Sequence, residues 1–190
     1  PFLVAGAVFG RVELSGLDTK SLQADLSILD ILAQAGASLC QLDESGNIRA
    51  QRAPLSSFEV DASNCPDLFP VISVLAAFCQ GRSRISGVGR LAGKESDRAK
   101  AILDMLTSMG VRAFIKEDTL LVDGMSHSQR SLLGKLLKGG KYSSSHDHRM
   151  VMALKVASLG ADSPVVIDDE DCVEKSFPDF HEIFRRATQR

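Results

Sequence analysis

The residues of this chain whose types and spacing could do chemistry are cations and carboxylates gathered at the starts of helical patterns. Lys94-Glu95-Ser96-Asp97-Arg98 sets two cations and two carboxylates at one such start, where the unpaired backbone N–H groups of a first helical turn already favour an anion. Arg149 follows Asp147-His148 at another start, and Lys175 stands in a Lys-Ser turn near the end of the chain. An Arg offers a planar fork suited to a carboxylate or phosphate, whereas a Lys offers a compact charge that can also donate a proton. Asp67, after Pro66 at a third helix start, is a carboxylate that could accept a proton. Each group also has a plainer reading. The pentapeptide can be a charged surface turn with Ser96 as helix cap, and Asp67 can simply satisfy helix N–H groups, the role assigned to its counterpart Asp147. What separates the readings is whether these positions meet in space.

Other chemistries find less support. His146 and His148 lack a spaced partner pattern for zinc, and His127 and His181 are isolated, so no metal site is expected. No Gly-rich loop precedes a Lys-Ser or Lys-Thr in the manner of a nucleoside-triphosphate cradle, and Ser143-Ser144-Ser145 reads as a loop rather than a nucleophile.

An internal repeat supplies the elements that must position the charged groups. One pattern occurs twice in full and once without its beginning: a wholly apolar helix, a β-branched strand, a Lys-Ser or Lys-Glu-Ser turn, and an amphipathic helix. In the second copy Pro66-Asp67 leads the apolar run 68–78, Gly81 closes it, and 83–87 alternates like a strand. After the charged turn, Ala99, Ile102, Leu103, Leu106 and Met109 recur at helical spacing and Gly110 supplies the stop. The third copy runs from Asp147-His148-Arg149 through an apolar helix to Gly160, extends over 164–167, and turns at Lys175-Ser176 into a helix over 177–188. Asp67 and Lys94 are 27 residues apart and Asp147 and Lys175 are 28 apart, so the copies keep register. The first copy keeps its Lys20-Ser21 turn and a helix over 22–35 but lacks its lead.

Short alternating runs at 38–42, 58–60, 111–115 and 119–122 follow the amphipathic helices, joined by turns at 44–47 and 117–118. The pattern predicts one α/β domain over 1–190, with three βαβαββ-type repeats at about 1–62, 63–125 and 126–190. The apolar helices lie inside and the sheets outside, around a pseudo-three-fold axis. The stretch 126–146 breaks the register and reads as an exposed excursion with a short helix through Leu132, Leu133, Leu136 and Leu137. On such an axis equivalent turns share one end of the domain, where Lys94, Arg98, Arg149 and Lys175 can converge.

Composition bounds the function classes. With 190 residues and 44% apolar content the chain can bury a sizeable core. A formal net charge of -2 argues against nucleic acid or an anionic membrane as a bulk electrostatic partner. No apolar stretch reaches the roughly 20 residues needed to cross a bilayer. Cys40, Cys65, Cys79 and Cys172 are scattered without a Cys-x-x-Cys spacing, as suits reduced thiols in the cytoplasm. The first ten residues contain no Met or charged side chain and read as the inside of a buried helix, an expectation that the chain continues a longer one.

Asn64-Cys65-Pro66-Asp67, Lys94-Glu95-Ser96-Asp97-Arg98, Asp147-His148-Arg149-Met150 and Glu174-Lys175-Ser176-Phe177-Pro178-Asp179, taken together in this order and spacing, resemble the 5-enolpyruvylshikimate-3-phosphate synthases, and the resemblance covers the whole chain. It implies a two-domain, monomeric enzyme of six such repeats, this chain being the C-terminal half and the N-terminal domain its partner. The implied reaction joins phosphoenolpyruvate to shikimate 3-phosphate without metal or organic cofactor. Asp67 then corresponds to the base for the shikimate 5-hydroxyl and Glu95 to the carboxyl that relays a proton at the phosphoenolpyruvate methylene. Lys94 and Arg90 correspond to contacts to shikimate 3-phosphate, and Arg98, Arg149 and Lys175 to the cations that hold phosphoenolpyruvate.

This sequence departs from the resemblance at Ala92-Gly93, where many relatives carry a basic residue and Val, and at His146, where many carry Asn or Gly. The family's N-terminal Lys-Ser-x-x-x-Arg segment, Gly-rich loop and Ser-Ser-Gln contacts do not occur in it. The resemblance leaves two alternatives: a UDP-N-acetylglucosamine enolpyruvyl transferase, which shares the repeat fold, and a non-catalytic binding module. The Lys-Glu-Ser-Asp-Arg and Asp-His-Arg motifs favour shikimate, and the intact charged residues speak against decay.

Overall fold

The computed structural model describes residues 1–18, 21–43, 46–93 and 97–188. In chain order its elements are α1 (Phe2–Phe9), β1 (Arg11–Leu14), α2 (Ile28–Gln34), β2 (Ser38–Gln41), β3 (Ile48–Gln51), β4 (Glu59–Asp61), α3 (Phe69–Phe78), β5 (Gly81–Ser86), α4 (Arg98–Ser108), β6 (Arg112–Lys116), β7 (Thr119–Gly124), α5 (His127–Leu132), β8 (Gly140–Tyr142), α6 (His148–Ser158), β9 (Val165–Ile167) and α7 (Phe180–Thr188). Short 3-10 turns at Ala24–Ser27, Pro66–Leu68, Val88–Leu91 and Glu170–Lys175 introduce or follow these elements at the ends where the charged groups sit.

A helix with no polar face has one stable position, the interior. Every residue of α3 is buried, as are Phe2 to Val8 of α1 and most of α6. These three helices pack on one another, and the sheets lie around them in the predicted arrangement, helices inside and strands outside. The first sheet has the order β1-β3-β2, the second β4-β5-β7-β6, and the third β8-β9. Superimposing the repeat makes β1, β3 and β2 the counterparts of β5, β7 and β6, and makes β8-β9 the counterpart of the parallel pair β4-β5.

The amphipathic helices cover the remaining apolar surface. In α4 Ile102, Met105 and Leu106 point inward and Met109 follows them into the core. In α7 Phe180 and Phe184 pack on Phe2, with ring centroids 5.8 and 5.9 Å from it, so the last helix of the third copy closes on the first helix of the first. At the far end of α3, Arg130 is buried and donates to the carbonyls of Ala77, Met125 and Lys135 at 3.0 to 3.2 Å while lying over the Phe78 ring. A cation there completes the carbonyls that a helix C-terminus leaves unpaired. Cys65, Cys79 and Cys172 are buried and Cys40 is exposed, all unpaired; burial pushes the Cys79 thiol up to about 12.

Three local expectations are corrected. The run predicted at 58–60 as an ending of the first repeat forms β4, which pairs in parallel with β5 and so opens the second sheet. The stretch 126–146 is only partly an excursion. Leu132 and Leu133 on and after α5 are exposed, but Leu137 is buried and bridges Ala161, and β8 pairs with β9. Its Ser, Gly and Lys content hides a strand because only one residue in two of an outer strand needs an apolar side chain. At α4 the capping side chain is Asp97, which accepts from the Lys100 amide at 3.1 Å, in place of the predicted Ser96, which lies outside the described residues together with the Lys20 and Glu44-Ser45 positions of the predicted turns.

The end of β7 meets the end of α3 with no room for a side chain. A Cβ on Gly124 would stand 2.0 Å from the Ala76 carbonyl oxygen and 2.2 Å from that of Cys79. Both obstacles are backbone, so Gly124→Ala must displace a strand from the central helix. It is expected to lower unfolding stability by about 2 kcal/mol or more, read from the shift of a urea denaturation midpoint.

Candidate active site

The starts of α3, α4 and α6 come together at one end of the molecule, and their first charged residues form a continuous chain. Arg98, the first residue of α4, is 1% exposed. Its Nε donates to Asp147 Oδ2 and its Nη1 to Asp67 Oδ1, each at 2.7 Å. Arg149 Nη2 lies 3.7 Å from Asp67 Oδ2, and its Nη1 donates to Asp25 Oδ2 at 2.9 Å. The sequence of charges is therefore Asp147, Arg98, Asp67, Arg149, Asp25, alternating in sign and drawn from all three copies of the repeat.

Local chemistry explains each member's place. Asp147 is wholly buried; its Oδ1 caps α6 by accepting from the Arg149 amide at 2.9 Å, which leaves Oδ2 for Arg98. Asp67 lies in the 3-10 turn Pro66–Leu68, where Pro66 fixes the first position of the turn, and its side chain keeps 37% exposure. Burial alone would lower the Arg98 pKa, but the hydrogen bonds to Asp147 and Asp67 and their charges outweigh it and hold the guanidinium above its ordinary value. Arg98 is thus a permanent cation inside the protein.

The loop before α6 is fastened from the third sheet's side. Asp168, just after β9, accepts from the Ser144 amide and the Ser143 hydroxyl. Ser145 and His146 both take positive φ, 54° and 56°, a region that favours Asn or Gly. His146 holds it with its ring bound to Asp169.

The sequence-predicted residues are distributed as follows. Asp67, Arg98 and Arg149 are joined directly. Arg98, expected to face a ligand, is buried, with its Nε and one Nη1 donor engaged by two carboxylates at helix starts. Lys175 is exposed at the end of its 3-10 turn; Cys172, in the same turn, is raised by burial and feels both Lys175 and Asp147, which puts this turn beside the start of α6. Arg90 is exposed on the 3-10 turn Val88–Leu91, which packs against the turn carrying Asp67. Lys94 and Glu95 lie outside the described residues. A cavity of about 460 Å³ opens beside the chain of charges, with Asp25, Asp67 and Arg149 on its wall and Leu68, Val71 and Met152 among its apolar lining. Sequence reading missed Asp25. The repeat register was the available signal, since it points to the helix start after Lys20-Ser21, where Asp25 is the carboxylate.

The two aspartates differ in what depends on them. Asp147→Asn removes the charge from a fully buried partner of Arg98 and is expected to cost about 3 kcal/mol or more. Asp67→Asn, at a half-open position, is expected to cost about 1 kcal/mol. Urea denaturation of the two variants in parallel reads the difference.

Comparison with known proteins places the chain in a family and a fold. A profile of the family described as EPSP synthase (3-phosphoshikimate 1-carboxyvinyltransferase) matches residues 1–184. A 3-phosphoshikimate 1-carboxyvinyltransferase of Clostridium botulinum (strain Eklund 17B / Type B) is 39% identical over 97% of this chain and 40% of its own length; that of Thermococcus kodakarensis is 36% identical over 99% of this chain and 44% of its own. The chain therefore spans about two fifths of the length of these curated relatives. Among solved structures, the EPSP synthase of Acinetobacter baumannii superimposes with a TM-score of 0.80 at 26% identity, over 97% of this chain and 44% of that one. The enolpyruvyl transferase NikO of Streptomyces tendae shares the fold, with a TM-score of 0.74 at 17% identity over 98% of this chain and 41% of its own. With a family profile that matches residues 1–184 and relatives 36 to 39% identical over nearly all of it, this chain belongs to the EPSP synthase family.

Proposed function

We propose that this chain supplies the C-terminal half of an enzyme that transfers the enolpyruvyl group of phosphoenolpyruvate to the 5-hydroxyl of shikimate 3-phosphate, releasing phosphate, as a step of aromatic amino-acid biosynthesis. The observation that carries the reading is Asp67: a carboxylate held by buried Arg98, partly open, on the wall of a cavity it shares with Arg149. A general base must stand within reach of its proton and be fixed in direction; Arg98 fixes this one from behind.

The proposed chemistry is addition followed by elimination. Asp67 takes the proton of the 5-hydroxyl as its oxygen bonds to C-2 of phosphoenolpyruvate, while Glu95 delivers a proton to C-3. Loss of a proton from C-3 and cleavage of the C-2 to phosphate-oxygen bond then regenerate the double bond and release phosphate. Arg149 and Lys175 hold the negative charge of phosphoenolpyruvate and of the departing phosphate. Arg98 fixes Asp67 through one hydrogen bond and adds its positive charge, with further N–H donors on the same guanidinium, to the set that holds phosphoenolpyruvate. Lys94 and Arg90 hold the phosphate of shikimate 3-phosphate. The remaining walls of both substrate sites come from an N-terminal domain, since catalysis between two anions needs both fixed and water excluded. Four unpaired thiols support a reducing compartment, the cytoplasm.

In the complete enzyme Asp67→Asn is expected to reduce phosphate release by at least about a thousandfold, with shikimate 3-phosphate binding kept within about tenfold, because the amide retains a contact but cannot accept the proton. Near-normal turnover would refute the base assignment. Replacing shikimate 3-phosphate by UDP-N-acetylglucosamine in the same assay should abolish phosphate release, and turnover with that acceptor would overturn the substrate reading.

A further inference from the structure

Asp25 belongs to the first copy of the repeat, on the 3-10 turn Ala24–Ser27, and reaches Arg149 across 124 residues of sequence. Its carboxylate makes the hydrogen bond that aims the Arg149 guanidinium. Among the described residues the other contacts do not do so: Asp67 Oδ2 stands 3.7 Å from Nη2, past hydrogen-bond length, and Arg149 Nε is buried with no hydrogen-bond partner. A long side chain held by one directed bond keeps its orientation only while that bond lasts. Asp25 and Arg149 line the same cavity, so the bond is made at the wall where a ligand would enter.

We infer that Asp25 is a positioning residue, which fixes Arg149 so that its remaining donors meet the anionic enolpyruvyl donor. This inference rests on the proposed function, in which Arg149 holds phosphoenolpyruvate. The sign of the effect separates positioning from simple electrostatics. Deleting a carboxylate next to an anion site should, by charge alone, tighten anion binding. If aiming Arg149 is what matters, the same deletion weakens it.

The test compares wild type, Asp25→Asn and Asp25→Glu in the complete enzyme, by steady-state phosphate release with each substrate varied and by calorimetric titration with phosphoenolpyruvate in the presence of shikimate 3-phosphate. The Asn variant is expected to raise the KM for phosphoenolpyruvate by roughly tenfold. The KM for shikimate 3-phosphate stays within about threefold and kcat falls by less than the KM rises. The Glu variant recovers part of the loss, because it restores the charged acceptor that the Asn amide oxygen replaces only weakly. An unchanged or lower KM for phosphoenolpyruvate in the Asn variant would overturn the inference, as would equal increases for both substrates, which mark a general structural defect. Should Asp25→Asn not fold, Asp25→Ser is measured against the same criteria. A wild-type enzyme that releases no phosphate overturns the functional reading and this inference with it, whereas an active wild type with an unaltered Asn variant overturns the role of Asp25 alone.

Discussion

Arg98 lies inside the protein between Asp147 and Asp67, and the rest of the arrangement follows from the cost of keeping it there. A buried guanidinium must have its donors satisfied, as backbone carbonyls do for Arg130 and two carboxylates, themselves held in place, do for Arg98. Asp147 meets that demand because its second oxygen is tied to the amide of Arg149 at the start of α6. Asp67 meets it because a proline-led turn fixes it at the start of α3. Two inner helices and one outer helix are thereby brought to a common point, where Asp147 caps α6 and Asp67 stands ahead of the first turn of α3.

That structural solution also shapes the candidate site. Asp67 has one oxygen committed to Arg98 and the other near Arg149, on a wall that remains partly open to a cavity. The alternating chain ends at Asp25, which makes the directed bond to Arg149, while Asp67 stands farther off on its other side. The site is assembled from three copies of one repeat: α3 and α4 from the second, α6 from the third, and the turn before α2 from the first. Closing the ring of copies, as Phe2 does by packing on Phe180 and Phe184, is what brings these turns to one end.

Much of this was legible in the sequence because it depends on local composition. A helix such as α3, without a polar face, announces its burial; the near-equal spacings of 27 residues from Asp67 to Lys94 and 28 from Asp147 to Lys175 announce a repeat; Gly110 and Gly160 mark helix ends. What escaped depends on long-range geometry. Nothing in Lys94 to Arg98 says that Arg98 turns inward, since that follows from Asp147 lying 49 residues away. The pairing of β4 with β5 instead of with the sheet before it, and the strand hidden at β8, reflect which edge is open, which periodicity does not record. Asp25 looks like any acidic residue at a helix start until Arg149 is placed beside it.

The central claim, that a buried guanidinium between two helix-start carboxylates organises this end of the molecule, is tested most directly by a double-mutant cycle on Arg98→Met and Asp147→Leu, measured by urea denaturation. Each single change leaves a buried charge short of one charged partner, while the double change removes both charges. The account predicts that the double variant is more stable than the sum of the single losses implies, with a coupling of about 2 kcal/mol or more. Additive losses would contradict it, since they would mean that Arg98 and Asp147 contribute to stability independently of each other.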